Sequence, residues 1–102
     1  MAITTEQHEG LCRIRIDGDL TIYEAAEARE TLVGLLAACT WFELDLSEVS
    51  TLDTAGIQLL LAWGREIQAS GRQVEVSGTS DAVADVMESY ALSALFAPAA
   101  AA

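Results

Sequence analysis

Trp41-Phe42-Glu43-Leu44-Asp45-Leu46, six connecting residues, and then Asp53-Thr54-Ala55-Gly56-Ile57-Gln58-Leu59-Leu60-Leu61 make up the segment that settles the architecture. Residues 41–46 are few, aromatic and aliphatic, and bounded by polar residues. That predicts a strand buried within a sheet, with residues 47–52 as a connecting loop. A helix follows from Asp53 or Thr54 to about Ala69, where Ser70-Gly71 supplies the stop. Asp53 is suited to accept hydrogen bonds from the first free N–H groups of that helix, and Gly56 lets another backbone or a partner come close. Thr54 then stands at the helix mouth.

Upstream, residues 3–8 read as a short first strand, turned by His8-Glu9-Gly10 into a second strand over residues 11–17. There Cys12, Ile14 and Ile16 share one face and Leu11, Arg13, Arg15 and Asp17 the other. After Asp17-Gly18-Asp19-Leu20, Thr21 and Glu24 have the spacing of a capping box, which predicts a helix from Thr21 to about Ala38. Its inner side would carry Ile22, Ala25, Ala26, Leu32, Val33 and Leu36. Downstream, residues 73–77 alternate as a fourth strand, Ser80 or Asp81 opens a third helix to about Tyr90, and residues 91–96 are a small apolar closing element. Strands alternating with helices indicate an α/β fold, with helices packed on a mostly parallel sheet and the first two strands antiparallel. A chain of 102 residues builds one core.

The formal charge of -11 arises from sixteen acidic residues against five arginines, with no lysine. Phosphate backbones and anionic lipid surfaces repel such a chain, so nucleic acid is excluded as a natural partner. No apolar run approaches the roughly 20 residues of a membrane-spanning helix, so no membrane insertion is expected. The N-terminus has neither a basic region nor a long apolar segment, which points to a cytoplasmic protein. Cys12 and Cys39 lack a His or second Cys at metal-ligand spacing and read as buried free thiols.

Chemistry concentrates at Asp53-Thr54-Ala55-Gly56. The positive end of the helix dipole and the exposed N–H groups favour a phosphate on the Thr54 hydroxyl, and that phosphate adds roughly -1.5 to -2 charge. The ordinary alternative is that Asp53 and Thr54 only cap the helix. Along the same helix Ile57, Leu60, Leu61, Gly64 and Ile67 form a core-facing stripe. Ala55, Leu59 and Ala62 point outward with Trp63 beside them, an apolar patch suited to protein contact unless the third helix or residues 92–96 cover it. No catalytic residue, metal site or cofactor site is expected. The one histidine, His8, lies on a terminal hairpin, and no phosphate-binding glycine loop, paired-cysteine motif or nucleophile elbow occurs. Asp17 and Asp19 around Gly18 read as a solvated turn.

Taken together, Gly18-Asp19-Leu20 before the first helix, Leu44-Asp45-Leu46-Ser47, and Leu52-Asp53-Thr54-Ala55-Gly56 before an aliphatic helix resemble the STAS domain family, of the anti-sigma factor antagonist type. The resemblance implies a mixed four- to five-stranded sheet with three to four helices. It covers about Ile3 to Phe96, and residues 1–97 are expected to form a single domain with residues 98–102 as a short alanine-rich tail. It further implies a regulatory protein that catalyses nothing and switches partners. By the same resemblance, a serine kinase that is also the anti-sigma factor, or a related regulator, would bind the unmodified domain, phosphorylation of Thr54 would release it, and a phosphatase would restore binding. The partner surface it implies comprises Asp19, Thr21, Asp53, Thr54, Ala55, Gly56, Leu59, Ala62 and Trp63. Antagonists commonly have Asp where Thr21 stands. The helix style also resembles STAS proteins of chemosensory signalling and the small STAS subunit of bacterial lipid-transport ABC complexes. In the last of these, Thr54 would be an unphosphorylated structural contact to the ATPase.

Overall fold

A computed structural model describes residues 1–89 of the chain. The end of the third helix expected at Tyr90, the closing element expected at residues 91–96 and the tail at 98–102 lie outside the described residues. In chain order the elements are β1 (Ala2–His8), β2 (Leu11–Leu20), α1 (Ala25–Leu35), β3 (Trp41–Leu52), α2 (Thr54–Ala69), β4 (Gln73–Thr79) and α3 (Asp81–Ser89). They build a mixed sheet in the order β1-β2-β3-β4. β1 and β2 are antiparallel, and β3 pairs in parallel with β2 on one side and β4 on the other. This is the α/β architecture expected, with four strands and three helices among the described residues.

The β1–β2 hairpin turns on two residues, Glu9 and Gly10, at φ 49° and 86°. Paired positive φ values give the turn a twist that matches its strands. Cys12, Ile14 and Ile16 are buried, and they join one core with Phe42, Leu44 and Leu46 of β3, Leu32 of α1, Leu60 and Ile67 of α2 and Val83 of α3. The other sheet face is polar. On it Arg13 pairs with Glu43 at 2.8 Å, and Arg15 with Asp17 at 3.1 Å.

Several expectations are corrected. Residues 47–52 are not a loop but the second half of β3, and β2 continues past Asp17 to Leu20. Pairing continues through two register shifts, the first putting Asp17 opposite Glu48 and the second putting Asp19 opposite Thr51 and Leu20 opposite Leu52. The shifts break the two-residue rhythm of side chains while the backbone ladder goes on, so a polar stretch that reads as loop is strand.

The first helix begins at Ala25 rather than Thr21. Its buried residues are Ala28, Leu32 and Leu35, while Val33 and Ala26 are exposed and Leu36 is half-buried. Thr21 and Glu24 do form the box, since the Glu24 carboxylate accepts from the Thr21 N–H at 3.0 Å and the Thr21 hydroxyl at 2.8 Å. The box encloses a turn ahead of the helix, however, and the inward face of α1 is set by residues beyond Glu24.

Cys12 and Cys39 are not free thiols but a disulfide, with their Cα atoms 5.8 Å apart. The Thr40 N–H donates to the Gly10 carbonyl at 2.9 Å, which docks the turn after α1 beside the start of β2. That contact brings together two cysteines 27 residues apart, and no spacing rule in the sequence announces it.

Candidate partner-binding site at the mouth of the second helix

β2 and β3 lie side by side and run in the same direction, so the connections that leave their C-terminal ends emerge together. Leu20 faces Leu52 in register, and residues 21–24 therefore lie beside Asp53 and the first turn of α2. The approach is close because position 56 has no side chain. A Cβ there would strike the backbone carbonyl oxygen of Leu20 and come within 2.7 Å of Leu52 Cδ1. Gly56 is required by that contact rather than by its backbone angles.

Asp53 fastens the two connections to each other. It is the N-cap of α2, with extended backbone, and its Oδ1 accepts from the Gly56 N–H at 3.0 Å. Its Oδ2 accepts from the Ile22 N–H at 2.9 Å, across 31 residues of chain. These two donors, Gly56 first and Ile22 second, hold the Asp53 carboxyl below its ordinary pKa of 3.8. The side chain thus does more than cap its own helix, the role that position alone suggests.

Thr54, the first residue of α2, is exposed, and Ala55 is half-buried. Asp19 is exposed at the end of β2, and Thr21 is half-buried. The fold therefore brings Asp19, Thr21, Asp53, Thr54, Ala55 and Gly56 to one end of the sheet. Along the outer side of α2, Ala62 is exposed and Leu59 is half-buried against the core. Trp63 is a correction, because it is 3% exposed and belongs to the core rather than to an outer patch. Its indole N–H donates to the Leu32 carbonyl at 2.9 Å, and its ring meets Phe42 edge to face at 5.5 Å. A polar N–H that finds a carbonyl lets so large a ring go inside.

Two residues of this end escape a sequence reading. Ile22, expected on the inner side of α1, is 68% exposed, and its neighbour Tyr23 is 90% exposed. No sequence signal sets them apart, because the residues enclosed by a capping box ordinarily lie in the first helical turn; here they form a turn ahead of α1.

Among the described residues no helix is long and apolar enough to cross a membrane. Residues 3–97 match the family model described as "Mlab, STAS domain". The fold is shared with an anti-sigma factor antagonist from Mycobacterium paratuberculosis, at 18% identity and a TM-score of 0.85 over 94% of this chain and 82% of that one. It is also shared with the Bacillus cell fate determinant SpoIIAA in its phosphorylated form, at 21% identity and a TM-score of 0.76 over 92% of this chain and 87% of that one. An anti-sigma factor antagonist STAS domain from Rhodobacter sphaeroides is similar at 17% identity, with a TM-score of 0.63 over 79% and 92% of the two chains. With a family match over almost its whole length, the chain belongs to the STAS domain family, whose members are non-catalytic regulatory domains.

Proposed function

We propose that this domain is a cytoplasmic partner switch, controlled by phosphorylation of Thr54, that binds a serine kinase acting as anti-sigma factor or a related regulator. A phosphatase resets it. One observation carries the reading: Thr54 presents an exposed hydroxyl at the N-terminus of α2, where Asp53 ties the helix mouth to the β2–α1 connection through Gly56 and Ile22. A helix N-terminus accommodates added negative charge, so phosphorylation there leaves the fold standing and changes what the surface binds. Asp19 and Asp53 already make this end acidic. A phosphate adds bulk and charge at the centre of the contact formed by Asp19, Thr21, Asp53, Thr54, Ala55 and Gly56, with Leu59 and Ala62 extending it along α2.

The test is affinity capture from the native cytoplasm with the wild-type chain and with Thr54→Glu. The switch predicts a protein partner that the wild type retains and Thr54→Glu loses. Equal recovery on both baits would refute it.

A second reading is favoured by the matched family model, whose description names a Mlab STAS domain and not an anti-sigma factor antagonist. Here Thr54 is a permanent contact in a complex with the ATPase of a lipid-transport ABC assembly and is never phosphorylated. Thr54→Ala separates the two readings. It disrupts a permanent complex, whereas a switch carrying it still binds and can no longer be released.

A further inference from the structure

We infer that Ile22 and Tyr23 form the apolar anchor of this surface, inserted into an apolar pocket of a protein partner rimmed by Arg and Lys. The inference rests on the partner-binding reading above and names the chemistry of the partner. Large apolar side chains scattered singly over a surface are ordinary. These two are consecutive, 68% and 90% exposed, and no other exposed large hydrophobic among the described residues reaches half exposure.

They also stand on a rigid turn. The Ile22 N–H is held by Asp53 Oδ2 at 2.9 Å, and the Tyr23 N–H reaches the Thr21 hydroxyl at 3.4 Å. The Glu24 and Ala25 N–H groups both donate to the Thr21 carbonyl, at 3.0 and 2.9 Å. A turn fixed in this way presents its side chains with little further ordering on binding, which is what gives a tyrosine its weight in an interface.

Charge selects the occupant. No Arg or Lys occurs in residues 18–28 or 48–64, whereas Asp19, Glu24, Glu27, Glu48 and Asp53 fall in these segments. Of the five arginines, Arg13 and Arg15 are engaged with Glu43, Asp17 and Glu48, and Arg72 with the Cys39 carbonyl and the Phe42 ring, while Arg29 and Arg65 follow directly after these segments, on α1 and toward the far end of α2. The surroundings of the Ile22–Tyr23 pair are therefore acidic, and a second copy of a chain of charge -11 meets like charge there. A basic rim is complementary.

The test titrates the intact chain against the purified partner returned by the capture experiment, comparing wild type, Tyr23→Ala, Ile22→Ser and Trp41→Ala. Trp41 is a half-exposed aromatic at the opposite end of β3. Tyr23→Ala is expected to weaken binding about 30-fold and Ile22→Ser about fivefold, with unchanged melting temperatures. Trp41→Ala should leave affinity within about twofold, and the wild-type complex should weaken as ionic strength rises from about 0.05 to about 0.5 M. Unchanged affinity for Tyr23→Ala, in a complex that Thr54→Glu still abolishes, would overturn the anchor and leave the switch intact. Loss with Tyr23→Ala but not with Thr54→Glu would keep the anchor and remove the switch. A complex insensitive to salt, or a homodimer dissolved by Tyr23→Ala, would overturn the basic partner. Failure of the wild type to retain any partner removes both.

Discussion

Asp53 joins two pieces of chain with one carboxylate, and its chemistry governs the local behaviour of the site. Because its pKa is depressed, the tie is complete above the ordinary value of 3.8 and is lost as pH falls through the lowered one. The Gly56 and Ile22 amide resonances should therefore titrate together by NMR, with one shared midpoint below 3.8. Separate midpoints would mean that the two connections are not coupled. In Asp53→Ala the Ile22 amide loses its acceptor, so its hydrogen exchange should quicken along with that of Gly56. Gly56→Ala tests the close approach. The new methyl meets the Leu20 carbonyl, a backbone atom that cannot swing aside, and urea unfolding should show a loss of about 1–3 kcal/mol. Thr54→Ala, at an exposed position, should leave stability nearly unchanged.

Among the elements, the sequence foretold most strongly where a single rhythm ran uninterrupted. β2 from Cys12 to Ile16 and α2 from Thr54 to Ala69 stand where the two-residue and 3.6-residue patterns placed them, and so does Asp53 as the cap. Misreadings fell where a rhythm was broken or a contact was distant. Two register shifts hide the second half of β3, and the box at Thr21 and Glu24 has the spacing of a helix start but encloses a turn. Trp63 looked outward because its partner, the Leu32 carbonyl, lies 31 residues away, and the same distance problem concealed Cys12–Cys39. Both long-range ties have measurable weight. Trp63→Phe leaves a buried carbonyl without its donor and should cost about 1–3 kcal/mol in urea unfolding. Closing 27 residues of chain restricts the unfolded state by about 3 kcal/mol, so the reduced protein should unfold at markedly lower denaturant than the oxidised one. In a reducing cytoplasm the pair would stand as two buried thiols and the domain would have the lower stability.

On the scale of the whole molecule, the parallel pairing of β2 with β3 gathers the proposed partner surface at one end of the sheet. It delivers the Thr21–Glu24 turn and the mouth of α2 to the same place, and the charge of -11 gives that place its sign. Self-repulsion from so acidic a chain should ease with added salt, so melting temperature should rise with ionic strength while partner binding weakens. The opposite responses separate folding from recognition in one titration. In the proposed switch, control of this surface turns on modification of Thr54, and intact-mass measurement of the chain recovered from its own cells decides whether that modification occurs. The expected result is a species heavier by one phosphate whose abundance changes with signalling state and which is absent from Thr54→Ala. An unmodified mass under every condition, or a phosphate that persists in Thr54→Ala, would contradict the switch.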